Sequence, residues 1–176
     1  MSREGTAEFH ADNAILRFER RLDHPVERVW AAITEPGEIE AWWGRANVDL
    51  RAGGTMRIEW LNADDIVMPA TITQLDPPHL LEIDGEPHGT LRFELAPDGD
   101  GTLLTFVARS RIPEDQRSKV LAGWHYHLDE LERFLDDGIR VDWPNWPLDR
   151  WEAIHEEYYS GALDSERQSS RQAAER

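Results

Sequence analysis

The chain has 176 residues and a formal charge of −16, from 19 Lys+Arg against 35 Asp+Glu. That length suits one domain with a full core, and 40% hydrophobic with 31% charged residues reads as a soluble globular protein rather than a disordered one. The acidic balance argues against nucleic acid and anionic membrane as partners, since both need clustered Lys/Arg; zero cysteines exclude disulfides, thiolate metal sites and Cys nucleophiles.

Residues 1–13 are polar and aperiodic and are expected to form a flexible N-terminal arm. They hold no apolar h-region, and no apolar run nears the ~20 residues of a membrane span, so a cytoplasmic protein is expected. Ile15–Leu22 alternates through Leu16, Phe18 and Arg20, the pattern of a strand with one buried face. Asp23 then suits an N-cap, with Pro25 in the first turn, and Val26, Val29, Trp30 and Ile33 recur at helical spacing. A second short helix follows Pro36, carries Ile39, Trp42 and Trp43, and ends at Gly44, which suits a left-handed C′ position.

From Asn47 to Arg109 the signal is all strand: Asn47–Leu50, Thr55–Trp60, Ile66–Leu75, His79–Ile83, Gly89–Leu95 and Thr102–Arg109. Turn residues separate these runs, Asn62–Asp65 and Pro97–Gly101 being the clearest, so the sheet is antiparallel. Arg117–Asp136 holds the 3.6 period through Val120, Leu121, Trp124, Leu128, Leu131 and Leu135 and predicts one long helix. The order predicts an α+β domain in which six to seven strands wrap around that helix, with two short helices after the first strand. Beyond Gly138 the chain turns Pro/Trp-rich, and Asp149 can cap a short helix with Trp151, Ile154 and Tyr158 on one face. Residues 164–176 are polar, with three acids and three bases, and a disordered tail is expected there.

Five segments together carry a resemblance: HPVERVWAAITEPGEIEAWWG, a Gly-Gly before a strand, QLDPPHLLEI, LAPDGDGTLLTF and GWHYHLDELERFL. In this order they resemble the activator-of-Hsp90-ATPase-homologue-1-like proteins of the START/Bet v1-like (SRPBCC) superfamily. The resemblance covers residues 14–137 and implies a helix-grip fold with a cavity between sheet and long helix. Residues 138–163 resemble the C-terminal extension of some bacterial members. The superfamily includes lipid carriers, hormone receptors and polyketide cyclases, so the fold alone leaves the function open.

Eight tryptophans are dense for this length, and several of them are candidates for a cavity wall. On a helical wheel of about 100° per residue, Trp124, Leu128 and Leu131 mark the inward side, His127 lies about 50° away, and Tyr126 is almost opposite. His127 could orient a ligand or move a proton, or be a core histidine bonded to a backbone carbonyl. Of Trp42 and Trp43, about 100° apart, one is expected at the cavity mouth and one on the outer surface. Met56, Trp60 and Phe93 join the candidate ligand-binding set from the strands, with core packing as the plain alternative. Arg57, Glu59, Arg92 and Glu94 belong to the wet face. His125 and His127 diverge by about 200° on a helix and cannot share one ion, so no metal and no cofactor is expected. No catalytic constellation stands out either.

Three functions follow. The first is a domain binding a small hydrophobic or aromatic molecule; the second a cyclase/aromatase-like enzyme using the same cavity; the third a co-chaperone or regulator-interaction protein. Trp143, Trp146 and Trp151 are expected to pack back on the domain, with a homodimer contact as the alternative.

Overall fold

The computed structural model describes residues 5–10, 13–61 and 66–160. The turn expected at 62–65 and the tail expected from 164 lie outside the described residues. Within them, eight strands form one antiparallel sheet: β1 (Thr6–His10), β2 (Asn13–Leu22), β3 (Arg45–Val48), β4 (Thr55–Glu59), β5 (Val67–Asp76), β6 (Leu80–Gly85), β7 (Gly89–Asp98) and β8 (Gly101–Arg111). Their spatial order is β1-β2-β8-β7-β6-β5-β4-β3. Two short helices, α1 (Val26–Thr34) and α2 (Pro36–Ile39), follow β2. The long helix α3 (Arg117–Asp137) packs on the sheet, and a last helix, α4, occupies residues 148–160. This is the sheet wrapped on a long helix that the element order predicts and the helix-grip fold that the resemblance implies, with one strand more.

The extra strand is β1, which falls in the segment expected to be a loose arm. It pairs along β2 from Thr6↔Arg17 to His10↔Asn13. Phe9 packs on the core from β1 and lies 4.1 Å from the Arg117 guanidinium. A five-residue edge strand held mainly by backbone bonds leaves little periodicity to read. Two end signals also differ. Pro25, not Asp23, caps α1, without a side-chain bond. Gly44 is not left-handed; glycine is required there because a Cβ would lie 2.7 Å from the Glu59 carbonyl oxygen. The left-handed C-cap is Gly138, φ 69°, which ends α3 with its N–H on the Phe134 carbonyl at 3.0 Å.

Strand alternation sends Leu16 and Phe18 of β2, Phe93 of β7 and Phe106 of β8 to the α3 side, all fully buried. Arg20 shares that face. Its guanidinium is 3% exposed and reaches Asp129 of α3 at 3.4 Å. Burial lowers the Arg20 pKa from its ordinary value, and the Asp129 charge opposes that shift. His125 Nε2 and Arg150 of α4 also approach Asp129, at 3.5 and 3.8 Å, so this carboxylate joins β2, α3 and α4. On the wet face, Arg92 bonds Glu82 and Glu94 as expected of solvated strand charges.

The extension packs back on the domain, as its tryptophans predict. Trp143 donates its indole N–H to the Glu40 carbonyl at 2.8 Å, and Val141 N–H reaches the Ala41 carbonyl. Ile154 of α4 buries against Ala122 and Tyr126 on the outer side of α3. Asp129→Ala would leave Arg20 buried without its hydrogen-bonded anion, and breaking such a pair costs about 3–5 kcal/mol. Chemical denaturation of that variant should show a loss of this size; a loss under about 1 kcal/mol would mean that Arg20 is effectively solvated.

Candidate functional site

The centre of the space between sheet and α3 is filled. Trp124 of α3 lies 4.4 Å from Phe106 and 5.5 Å from Trp43, ring centre to ring centre, and Trp43 lies 6.0 Å from Phe93. Trp42 stacks on Trp43 at 5.4 Å and donates its indole N–H to the Ala32 carbonyl at 2.9 Å. Both tryptophans are wholly buried, so neither sits at a mouth or on the outer surface. The reason is the loop beyond α2: Gly44 lies flush against β4, which draws the Trp42-Trp43 pair under the helix. Met56, Phe93 and Leu131 are likewise core side chains.

Open space remains at the N-terminal end of α3, as a cleft of about 300 Å³. Its walls are Trp60, just past β4; His88, in the β6–β7 turn; Lys119, Val120, Gly123, Trp124, Tyr126 and His127 of α3; and Trp146 and Trp151 of the extension. Of the eight expected site residues, Trp60, Trp124 and His127 meet there; Trp42, Trp43, Met56, Phe93 and Leu131 do not line it. The sequence-based site set missed His88, Lys119, Val120, Gly123, Tyr126, Trp146 and Trp151. Two of these carry signals: Lys119 is the only lysine of the chain, and Gly123 is a glycine inside a helix. A Cβ built on Gly123 meets nothing within 4 Å, so the glycine faces open space. Tyr126 points away from the sheet as the wheel predicts, but the extension folds over it and makes that side a second wall.

The polar chemistry of the cleft is unusual. His127 Nδ1 lies 3.0 Å from the Trp42 carbonyl, which can only accept, so Nδ1 carries the proton and Nε2 a lone pair. Burial lowers the His127 pKa from 6.5 to about 4, against the raising effect of that hydrogen bond. His88, whose ring is 5.0 Å from Trp60, is also lowered by burial. Both imidazoles are therefore neutral at pH 7. Burial raises the Tyr126 phenol to about 12, helped by the Glu130 charge and opposed by the neighbouring Trp146 indole, so it keeps its proton. Trp60 Nε1, His88 Nε2, Tyr126 Oη and Trp146 Nε1 are all buried without hydrogen-bond geometry to any partner, the Trp146–Tyr126 approach included. A polar atom left in that state costs about 1–3 kcal/mol, and four of them belong to one cleft. His125, two residues before His127, instead bonds the Tyr158 hydroxyl at 3.0 Å, so the two rings serve different neighbourhoods.

The lowered His127 pKa gives a pH dependence. The unfolded ring protonates below about 6.5 and the folded one only near 4, so stability present at pH 7 is lost as pH falls through that window. The full shift is worth about 3 kcal/mol. Replacing His127 with Gln, which keeps a donor for the Trp42 carbonyl, should flatten the urea-midpoint profile between pH 7 and 4; an unchanged profile would mean that His127 titrates normally.

Comparison with known proteins agrees with this fold. Residues 23–136 match the family described as "Activator of Hsp90 ATPase homolog 1-like protein", and the chain belongs to that family. Among curated proteins none matches. Among solved structures, CalU16 from Micromonospora echinospora is 23% identical over 89% of this chain and 96% of its own, with TM-score 0.66. A conserved protein of unknown function from Enterococcus faecalis, EF2215, is 18% identical over 91% of each chain, TM-score 0.71. DynU16, described as a protein in the dynemicin biosynthetic locus, is 23% identical over 73% of this chain and 50% of its own, TM-score 0.62. At these identities the likeness is one of fold. Among the described residues no helix is long and apolar enough to cross a membrane.

Proposed function

We propose that this member of the activator of Hsp90 ATPase homolog 1-like family binds a small, flat aromatic molecule in the cleft at the N-terminal end of α3. The carrying observation is the cluster of unpartnered polar atoms, Trp60 Nε1, His88 Nε2, Tyr126 Oη and Trp146 Nε1, set in an otherwise aromatic wall. Apolar lining with a few convergent polar groups is the usual composition of a small-molecule site. An engineered cavity of roughly 150 Å³ accepts one benzene ring, so a cleft of about 300 Å³ suits two fused rings. A polar substituent on those rings can donate to His127 Nε2.

The same cleft supports binding better than cyclase-type catalysis. A general base works best with a pKa near the working pH, and His127, at about 4, is a weak one. His88 is shifted the same way, and among the described residues no carboxylate lines the cleft to act as its partner acid or base. The co-chaperone reading rests on the family's name alone.

Gly123 gives a direct test, because a side chain there grows into the cleft rather than into its neighbours. Gly123→Leu should leave the protein as stable or more so, since Gly→Leu in a helix gains up to about 0.8 kcal/mol. Its affinity for a neutral naphthalene probe, naphthamide, should fall at least about tenfold by calorimetry, equivalent to about 1.4 kcal/mol. Equal binding by both proteins, or none by the unaltered one, would remove the cleft as the site.

A further inference from the structure

We propose that the molecule held in this cleft is an aromatic carboxylate, its anionic group at Lys119 and its rings reaching towards His127. The inference rests on the cleft being a binding site and adds the charge and the orientation of what it binds.

Charge is distributed unevenly around the cleft. The chain carries 35 acidic residues, yet among the described residues none of them lines it, and its single lysine does. Lys119 is exposed and, among the described residues, has no carboxylate partner. Asp115, one turn earlier, is engaged by the Gln116 side chain at 2.8 Å. The other ring-bearing walls are uncharged: both imidazoles are neutral, the phenol keeps its proton, and the tryptophans supply N–H donors. Trp60 Nε1 and Trp146 Nε1 lack well-placed acceptors but are themselves buried in the wall, so what the open space offers an anion is the Lys119 ammonium.

Position then sets orientation. Lys119, Gly123 and His127 follow each other at steps of four residues along one side of α3, about 12 Å from first to last. The ammonium stands at one end, open space over Gly123 in the middle, and the His127 ring at the other end. An Nε2 lone pair repels a carboxylate and welcomes a hydroxyl, whereas the ammonium welcomes the carboxylate. A bicyclic acid therefore enters ring first. The net charge of −16 repels anions at long range, but screening at physiological salt confines that to about 8 Å, and among the residues lining the cleft Lys119 is the one that carries a charge.

The test compares naphthoate with naphthamide, which has the same shape and no charge, by calorimetry on the full chain. The unaltered protein should bind naphthoate roughly fivefold or more tighter than naphthamide. Lys119→Gln should remove that preference by weakening naphthoate alone, and Lys119→Arg should retain it. If the amide binds as tightly as the acid and Lys119→Gln changes neither, the charge inference is overturned while the cleft stands. If neither probe binds the unaltered protein at millimolar concentration, the binding reading falls and this inference with it. A Lys119→Gln variant that weakens both probes equally also overturns the inference, since the lysine then acts through packing.

Discussion

The contact of Trp124 with Phe106 at 4.4 Å and with Trp43 at 5.5 Å decides where this domain has room. A helix-grip fold lays one long helix against a sheet, and the volume between them can be filled or left empty. Here four large rings, Trp43, Phe93, Phe106 and Trp124, all buried, close the middle. Aromatic pairs of this kind contribute about 0.5–1.5 kcal/mol each beyond the area they bury. Space is left beyond that plug, where Gly123 carries no side chain and His88 of the β6–β7 turn lines the gap. The cleft and the core are consequently parts of one packing problem, and Trp124 belongs to both.

The second constraint is that α3 is covered on two sides. Its inner face meets the sheet, its flank carries Asp129 towards Arg20 of β2, and its outer side carries Tyr126 and Glu130, all buried. Such carboxylates are tolerated only when paired. Arg20 and His125 serve Asp129; Arg133 and Arg150 serve Glu130. Arg150 comes from the extension, and Tyr158 adds a hydroxyl that takes the Gly5 N–H at 2.8 Å and meets His125 at 3.0 Å. The extension is thereby fastened by polar bonds at positions flanking Trp151, and the wall that Trp146 and Trp151 form depends on those bonds.

How far the sequence was legible follows from the range of each interaction. α3 and seven of the strands show in their own periodicity, because one buried face per element imposes it. β1 does not, since its order comes from pairing with β2 and its exposed edge allows polar residues. Arg20 reads as an apolar-face position of β2, but its partner Asp129 is 109 residues away and unidentifiable from pattern. The site divides the same way. Trp60, Trp124 and His127 follow from strand and helix faces alone. His88 sits in a turn with no period, and Tyr126 becomes a wall only because a later segment folds over it. Trp42 and Trp43 failed for a geometric reason: wheel angles apply within a helix, and this pair lies just beyond α2, where Gly44 redirects the chain.

Gly123 shows why such a site is hard to see yet physically definite. A glycine in a helix interior destabilises it by roughly 0.8–1.0 kcal/mol relative to alanine. Elsewhere such a residue permits close backbone approach, as Gly44 does beside Glu59; at Gly123 no neighbour comes within 4 Å. Packing therefore gives no reason for the glycine, and what it provides is the absence of a side chain between Lys119 and His127. Around that gap the helix supplies one charge and one neutral ring, the sheet end supplies Trp60 and His88, and the extension closes the remaining side. A collapsed core would have placed a methyl group there; Trp42 and Trp143 pair their indole N–H groups with carbonyls, whereas Trp60 and Trp146 beside the gap do not. Trp43 Nε1, inside the filled core, also lacks a partner, so it is the open space over Gly123 that sets this end of the helix apart.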